Sequence, residues 1–596
     1  MRGIAPGAAI IPGCRGHILP GGPSVPGFDV DDPLAFPDWP EDLPERLRRR
    51  FPLWALGSET PWFQLGFLDA CLALSREDPL MARLAASLGW WMFQERPLCA
   101  KLAARLPGLI QAGAGVAPQV KAVAAMAAAS PPPDQAELYA HIDALGDSAM
   151  LEDFLRAVLP VPGLGPIWLG RAFELILRLP DADKGRALIA SCALGAGQEA
   201  LRERLAAQFA FHRLGDQAAS RAAARLSATI FAPYGRLLDA MLALRRGEGE
   251  TAAAALAPLW RAMPWNVNIA CLLSGLLSGM LSGADGAQAA RSAERALAAG
   301  DTAVLAYTWN KAELIGRTLE SLAACALGGC PVFVLDNGSA DATPETLAAA
   351  HGLFAPGQLT VVSLPVNIGA PGARNWLLSL PEVAAKRYAA FIDDDVILPG
   401  DWLACLRGAA AAYPRAGAVG CRIVDAVAPG ALQSADFNIL TPDMGESVLA
   451  EVPERIFMCN NCAGLPDPGL FSYTRTCLSV SGCCHLINLS AVRAAGPFDV
   501  AFAPTQFDDL ERDLRSWLAG FPSVFCGRLS VCHVQNSSLR QASGPAQVAH
   551  ISGNKIKLEA KFSASQAAAL VAQNHETLWE EFTAACRIAA ADAGRR

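Results

Sequence analysis

The sequence is poor in charged and aromatic residues, has no block of basic residues, and lacks a long uninterrupted apolar run. Charged residues account for 18% and aromatic residues for 7% of its 596 positions, and the formal net charge is −8. A mildly acidic chain without a basic block offers no electrostatic reason to bind nucleic acid, so we expect no nucleic-acid partner. The best apolar stretch, Cys271 to Ala284, is interrupted by serines and is shorter than the ~20 residues of a membrane helix.

Signals for export are weak as well. The first residues, MRGIAPGAAIIPGC, contain a single arginine, and Pro6 and Pro12 interrupt a short apolar stretch, which disfavours a signal segment or a lipoprotein cysteine at Cys14. The 17 cysteines are odd in number and scattered through predicted core segments, which is typical of reduced, buried thiols in a large enzyme. We therefore predict a cytoplasmic protein, with peripheral membrane association left open.

The composition changes along the chain in a way that indicates several domains. Residues 1–58 are rich in Pro and Gly, which predicts an irregular arm. Residues 59–300 have helical periodicity, residues 301–541 alternate strand-length apolar runs with helical stretches, and residues 542–596 read as an amphipathic helical tail. The predicted inward-facing residues of this tail are Leu558, Phe562, Leu570, Leu578 and Phe582.

The helical region contains turns at Gly215, Gly247 and Gly283, which are 32 and 36 residues apart. Each turn precedes a stretch of small residues that could form a closely packed helix. This period resembles that of tetratricopeptide-like repeats, and an ordinary α-helical bundle is the alternative. Because the region shows no cluster of residues at catalytic spacing, we predict a platform for a protein partner or for self-association.

From residue 301 the alternation of strands and helices predicts an α/β domain with a parallel sheet. Ligands bind beyond the carboxyl ends of the strands in such sheets, so polar residues directly after apolar runs are the candidates. Four such groups occur in order, at 308–310, 336–339, 367–375 and 393–395.

The sharpest of these groups is Asp393-Asp394-Asp395. Three neighbouring carboxylates at a strand end repel one another unless a cation lies between them. In an extended strand Asp393 and Asp395 would point to one side and Asp394 to the other. The outer pair would then hold Mg²⁺ or Mn²⁺ against a diphosphate, since hard cations prefer oxygen ligands. An acidic, solvent-facing turn is the alternative for the triplet alone.

As a set, these stretches resemble the family 2 glycosyltransferases with a GT-A fold, over residues 301–541. The motifs that carry the resemblance are VLAYTWNKAELIGRTLESL (304–322), VFVLDNGSADAT (332–343), VNIGAPGARN (366–375) and YAAFIDDDVILPGDWL (388–403). The resemblance implies a mixed, mainly parallel sheet and a nucleoside-diphosphate sugar as donor. It implies donor contacts by Thr308 near the nucleoside, Asp336 at the base, Asn367 and Arg374 near the nucleotide, Asp393 at the ribose or the metal, and Asp395 at the metal.

The resemblance also implies an acidic segment that supplies a general base. The stretch GPFDVAFAPTQFDDLERDLRSWLAGFP (496–522) resembles it, with Asp508 at the position of the family's glutamate and Asp509 at that of its aspartate. We predict Asp509 as the base and keep Asp508 as the alternative, because the register is uncertain by one residue. Glu511 and Arg515 are spaced for a pair on the helix surface.

A histidine after the next predicted strand, His533, matches the family's metal- or phosphate-contacting position and joins Asp393 and Asp395 in the predicted metal site. His550 in the tail is the alternative, or His533 is a core residue. Residues 554–557, Asn-Lys-Ile-Lys, could close over the diphosphate, although a solvated helix is the simpler interpretation.

Cys459 and Cys462 form a zinc-like pair, with Cys477, Cys483 and Cys484 downstream at irregular spacing. The irregular second half favours buried thiols over a zinc site. The segment lies where the family builds its acceptor pocket, so it is also a candidate for acceptor specificity.

We therefore predict an inverting, Mn²⁺- or Mg²⁺-dependent glycosyltransferase that acts on a glycan, lipid-linked glycan or protein acceptor, for example in cell-surface glycan synthesis. One alternative is a non-catalytic helical-repeat scaffold with a degenerate transferase domain. A nucleotidyltransferase is the second alternative, disfavoured because residues 308–311 lack the glycines of a phosphate loop. A dinucleotide-binding dehydrogenase is weaker still, since no G-x-G-x-x-G follows a strand.

Overall fold

The computed structural model describes residues 39–593 except 113–115, 196–197, 280–299, 427, 429, 442–452, 463, 465 and 535–544. Within the described residues the chain forms two compact units. One comprises 39–46 and 61–269, and the other comprises 47–60 and 270–593. The second unit thus extends on both sides beyond the transferase domain predicted at 301–541.

The described residues between 43 and 277 form helices and connecting segments without a strand, as predicted. Aspartate side chains cap three of these helices, at Asp78, Asp147 and Asp181, by accepting hydrogen bonds from the free amides of the first turn. None of the helices in the described residues combines the length and apolar character that a bilayer span requires. The helices of this part are Leu43–Arg48, Leu53–Gly57, Pro61–Leu74, Pro79–Glu95, Ala100–Ala103, Leu106–Gln111, Pro118–Ala127, Pro133–Leu145, Ser148–Val158, Gly165–Arg178, Ala182–Ser191, Glu199–Arg213, Asp216–Arg225, Ala232–Arg245, Gly249–Ala262 and Val267–Leu277.

The predicted turns at Gly215 and Gly247 separate successive helices. Both glycines have positive φ, 78° and 75°, a conformation that disfavours other residues. The third turn, at Gly283, and the helix expected at 287–293 lie outside the described residues, as do positions 1–38 of the predicted arm. The remainder of that arm, 39–58, contains the two short helices Leu43–Arg48 and Leu53–Gly57. The region is helical as predicted, and its assignment to tetratricopeptide-like repeats stays a prediction.

The second unit is built on a mixed sheet. The strands of this unit, within the described residues, are β1 Thr302–Thr308, β2 Val332–Asp336, β3 Leu359–Ser363, β4 Tyr388–Ile392, β5 Val396–Ile397, β6 Ala418–Asp425, β7 Leu432–Ser434, β8 Phe437–Leu440, β9 Phe457–Asn460, β10 Thr474–Cys477, β11 Cys484–Asn488 and β12 Ser523–His533. Ten of them form the sheet, in the order β10-β12-β6-β11-β4-β1-β2-β3, with β5 paired to β12 and β7 to β6. Strands β1, β2, β3 and β4 are mutually parallel, while β11 is inserted antiparallel between β4 and β6. Strands β8 and β9 form a separate antiparallel pair.

Helices cover both faces of this sheet. Val304 and Ala306 contribute to one apolar core, and Ala303 and Leu305 contribute to the other, which follows the alternation of side chains along a strand. Because β1 and β4 are buried on both faces, they read as continuous apolar runs in the sequence. The helices of this part are Ala312–Ala323, Thr343–Ala350, Ala370–Ser379, Pro381–Ala384, Trp402–Ala412, Leu489–Ala495, Asp508–Leu518, Pro545–Lys561 and Ala564–Ala593.

The C-terminal tail forms the last two of these helices and packs against the helix Asp508–Leu518. Leu514 and Trp517 of that helix share an apolar core with Leu558, Phe562 and Leu570 of the tail. All five tail residues predicted to face inward are buried. The tail is therefore part of the second unit rather than a free appendage.

Candidate active site

A cleft of about 930 Å³ opens at the carboxyl ends of β1, β2 and β4. This volume is at the upper end of the range, about 300–1,000 Å³, that is usual for small-molecule sites. The cleft is lined by the segments that follow these strands and by residues 479–483 and 504–510. The predicted site residues that line the cleft are Asn367, Arg374, Asp393, Asp395, Asp508, Asp509 and His533.

The three aspartates occupy a turn rather than an extended strand, since β4 ends at Ile392. The Nζ atom of Lys311 lies 2.8 Å from Oδ1 of Asp394 and 3.0 Å from Oδ2 of Asp395, so these two carboxylates converge on one cation. The alternation predicted for an extended strand is therefore wrong at this point, because the turn rotates Asp394 toward the cleft. All three aspartates line the cleft.

His533, at the end of β12, lies on the same side of the site. Its Nε2 is 2.9 Å from Oδ1 of Asp395, and its Nδ1 is 2.6 Å from Oε1 of Gln433. Burial lowers the pKa of His533, but the carboxylates of Asp395 and Asp393 outweigh this effect and raise the pKa overall. Among the described residues, Asp393, Cys483 and His533 can each place one ligand atom within 4.8 Å of the others.

These donor atoms suit a divalent metal ion. Burial, with the nearby carboxylate of Asp395, raises the pKa of Asp393 to about 7, while Arg374 opposes the shift. A carboxylate held under such repulsion gains from a cation placed between it and its neighbour. The donor set of carboxylate oxygen and imidazole nitrogen is one that divalent metals accept in proteins.

Arg374 lines the cleft and is buried, although it lies on the helix Ala370–Ser379. Its Nη1 donates to Oδ2 of Asp508, and its Nη2 lies 3.8 Å from Oδ1 of Asp393. The guanidinium carbon lies 5.3 Å and 5.2 Å from the ring centroids of Tyr307 and Phe498. Arg374 thus links the aspartate turn with the acidic segment.

The two candidate bases differ in their surroundings. Both line the cleft, but Asp508 is 2% exposed and is paired with Arg374, whereas Asp509 is less buried. Oδ2 of Asp509 accepts a hydrogen bond of 2.9 Å from the amide of Gly482, and its Oδ1 accepts from the amide of Leu510. Since a base needs an accessible oxygen with a proton-accepting lone pair, this arrangement favours Asp509.

The two residues predicted to contact the nucleoside, Thr308 and Asp336, lie behind the lining of the cleft. Thr308 and Asp336 end their strands and are buried, at 1% and 3% exposure. Neither is among the described residues that line the cleft, and Oδ1 of Asp336 accepts from the amide of Ser339. Asn337, which follows Asp336, lines the cleft instead. Its Nδ2 donates to Oδ1 of Asn367 at 2.9 Å.

Trp309 also lines the cleft and is 49% exposed, which leaves its ring open to a planar ligand. The strand-end rule places Trp309 in the candidate group 308–310 without a role of its own, and Lys311 lies one residue beyond that group. The sequence prediction names Cys483 only as an irregularly spaced cysteine downstream of Cys459 and Cys462, and it assigns no role to Gln433. Gln433 and Cys483 gave no such signal, because β7 and β11 are antiparallel to the central strands.

Other predictions for this unit have mixed outcomes. Cys459 and Cys462 are buried free thiols, as favoured, and their sulfur atoms contact the side chains of Asn461 and Asn460. Glu511 and Arg515 do form a pair, but Glu511 is fully buried, so the pair is not a surface feature.

The segment 554–557 does not line the cleft within the described residues. Its first residue, Asn554, is fully buried beneath the loop 502–506. His550 contacts the carbonyl oxygen of Thr505 at 3.1 Å and is likewise absent from the described cleft lining.

The mixed, mainly parallel sheet of the C-terminal unit has the GT-A class of fold, as predicted. Residues 304–463 match the Glycosyl transferase family 2 model. The C-terminal unit therefore contains a glycosyltransferase domain. No protein among the curated sequences matches the chain.

Several solved structures resemble the chain at 12–15% identity. GalNAc-T7 with UDP, GalNAc and Mn²⁺ has 12% identity and a TM-score of 0.31, over 39% of this chain and 44% of that protein. Residues 1–349 of TarS from S. aureus have 14% identity and a TM-score of 0.29, over 46% and 70% of the two chains. The mannosyltransferase PcManGT from Pyrobaculum calidifontis, in complex with GDP-Man and Mn²⁺, has 15% identity and a TM-score of 0.29, over 55% and 98%. The aligned region thus spans less than half of GalNAc-T7.

Proposed function

We propose that the C-terminal unit transfers a sugar from a nucleoside-diphosphate sugar to an acceptor hydroxyl, with inversion at the anomeric carbon. The observation that carries this proposal is the cleft itself, which is lined both by the aspartate turn 393–395 and by Asp509. The pairing of Arg374 with Asp508 leaves Asp509 as the carboxylate available to the acceptor. A positioned base of this kind contributes about 10²–10⁴-fold in rate.

In this proposal Asp393, Asp395 and His533 hold Mn²⁺ or Mg²⁺. When bound, the ion acts as a Lewis acid that stabilises the departing nucleoside diphosphate. Arg374 lies 3.8 Å from Asp393 and helps to position it. Asn367 lines the cleft together with its hydrogen-bond partner Asn337. Thr308 and Asp336, which end β1 and β2, would position the residues that follow them for contact with the nucleoside.

Asp509 would take the proton of the acceptor hydroxyl. Its Oδ2 is fixed by the Gly482 amide, so the carboxylate is held in one orientation before the acceptor arrives. Such prior orientation lowers the entropy cost of the transfer. A single in-line attack with one base is the arrangement that gives inversion.

The acceptor in this proposal is a glycan, a lipid-linked glycan or a protein. The helical unit before residue 270 would serve as a tetratricopeptide-like platform that docks a large acceptor or a second copy. We place the protein in the cytoplasm, with peripheral membrane association for a lipid-linked acceptor and a role in cell-surface glycan synthesis.

Donor hydrolysis tests the proposal without knowledge of the acceptor, because water can replace the acceptor hydroxyl. The full chain is incubated with a panel of nucleoside-diphosphate sugars and Mn²⁺ or Mg²⁺, with and without EDTA. We expect release of nucleoside diphosphate from one donor, and its loss with EDTA. Asp395→Ala should abolish release, whereas Asp401→Asn, on an exposed residue that does not line the described cleft, should leave it unchanged.

Each negative outcome has a distinct meaning. Binding of nucleotide and metal without release of nucleoside diphosphate from any donor would favour the scaffold with a degenerate transferase domain. Release of inorganic diphosphate from a nucleoside triphosphate would favour the nucleotidyltransferase. EDTA-insensitive release would refute the metal dependence while keeping the transfer.

A further inference from the structure

We propose that the thiolate of Cys483 is a direct ligand of the metal ion in this cleft, together with Asp393 and His533. The inference rests on the proposed metal site and adds to it a sulfur ligand. It makes the site selective for a divalent ion that accepts sulfur, nitrogen and oxygen, such as Zn²⁺ or Co²⁺, over Mg²⁺.

The sheet topology brings Cys483 to this place. Strand β11 runs antiparallel beside β4, with Cys484 directly opposite Ile392. The residue before Cys484 therefore lies across from the residue after Ile392, which is Asp393. The amide of Asp393 donates to the carbonyl oxygen of Cys483 at 2.9 Å, so the two backbones are fixed to each other.

The side-chain positions fit a common ion. The Cys483 sulfur, one Asp393 oxygen and one His533 nitrogen all lie within 4.8 Å of one another. Three atoms bound to one ion at about 2.0–2.3 Å with tetrahedral angles lie about 3.3–3.8 Å apart. Side-chain rotations that shorten the present separations by up to about 1–1.5 Å would therefore bring all three atoms onto one ion.

The neighbouring cysteine provides a natural comparison. Cys483 lines the cleft, whereas Cys484 is fully buried in the sheet core and is not among the described cleft residues. The backbone carbonyl of Cys484 faces the sulfur of Cys421, at 3.8 Å. The two thiols thus differ in their access to the site although they are adjacent in the chain.

Binding in this form is balanced by the loss of one proton. The S–H bond of Cys483 breaks, a sulfur–metal bond forms, and the proton passes to solvent buffer. Calorimetry in buffers of different ionisation enthalpy measures this proton, because metal binding to a thiol releases it. We expect one proton fewer to be released from Cys483→Ser than from the wild type.

The deciding experiment uses Co²⁺ as a spectroscopic probe in the full chain. A thiolate ligand gives a charge-transfer band in the near ultraviolet that oxygen and nitrogen ligands do not give. We expect the band in the wild type and in Cys484→Ser, and its loss in Cys483→Ser. The Co²⁺ affinity of Cys483→Ser should fall by more than the ~10- to 100-fold typical of an outer-sphere change.

Two results would overturn the proposal. One is Co²⁺ binding to the wild type without the band, and the other is a band of equal intensity in Cys483→Ser. Donor hydrolysis by Cys483→Ser with Mn²⁺ separates the two levels of inference. If hydrolysis remains EDTA-sensitive while the band never appears, the proposed transfer stands and the sulfur ligand falls.

Discussion

Replacement of Arg374 by methionine should destabilise the transferase unit strongly. The change keeps an unbranched apolar stem but removes the guanidinium group that pairs with Asp508 and approaches Asp393. Asp508 is 2% exposed, so its carboxylate would remain buried without a counter-charge. Removal of one partner from a buried pair typically costs about 3–5 kcal/mol. We expect a loss of this size, which is a large share of the ~5–15 kcal/mol that stabilises a typical domain.

Urea denaturation, followed by a signal assigned to the transferase unit, measures this loss. The two units can unfold separately, so the transition of this unit must be fitted by itself. Arg493→Met is the matched control, because Arg493 is exposed and contacts only Ser490 on its own helix in the described structure. Its effect should stay within about 0.5 kcal/mol.

The double variant Arg374→Met/Asp508→Asn separates the charge from the packing. Asparagine removes the unpaired charge, so the double variant should recover part of the loss, with a coupling energy of about 1–3 kcal/mol. A destabilisation below about 1 kcal/mol for Arg374→Met alone would refute the reasoning, because it would mean that water reaches Asp508 in the folded state.

Four further predictions concern single side chains. Asp509→Asn should lower the rate of donor hydrolysis by about 10²–10⁴-fold and leave donor affinity nearly unchanged; an equal effect on both would refute its role as base. Asn554→Ala removes the donor to three carbonyl oxygens of the loop 502–506, so the free energy of unfolding, measured by urea titration, should fall by about 1–3 kcal/mol. In initial-rate measurements kcat should fall by a larger factor than KM rises. Lys311→Met removes a positive charge next to the aspartate turn, so calorimetry should show that the affinity for a divalent metal ion rises about tenfold or more. The upper limit of this gain is the repulsion of ~4 kcal/mol between two like charges ~4 Å apart. Burial lowers the pKa of His212 to about 3, so stability should fall as pH drops below ~6.5, where only the unfolded chain takes up a proton. In His212→Gln the melting temperature should depend less on pH between about 6.5 and 4.

The fold was largely predictable because its signals are local. Strands β1 and β4 are buried on both faces, so they appear as apolar runs, and the first polar residue after each run marks the edge where the cleft lies. The tail was predictable for the same reason, since the 3.6-residue period places Leu558 and Leu570 on the inner face of their helices.

Two local predictions failed at the site. The turn at 393–395 interrupts the strand periodicity, so the direction of Asp394 could not be deduced from alternation. The surface position given to Glu511 was also wrong, because the tail supplies Lys561, whose Nζ lies 2.7 Å from this carboxylate. Neither outcome is visible in the neighbouring residues, since each depends on a partner far away in the chain.

The sequence by itself determined the class of fold, the order of its strands and helices along the chain, and the acidic and polar groups at the strand ends. Only the tertiary structure decided which of these groups meet. Arg374 joins Asp508 across 134 positions of sequence, and Lys311 reaches Asp395 across 84. Cys483 enters the site because β11 is inserted antiparallel between β4 and β6. Spacing along the chain records periodicity within an element, whereas the pairing of distant charges depends on how the elements pack, and that is fixed only when the whole sheet is assembled.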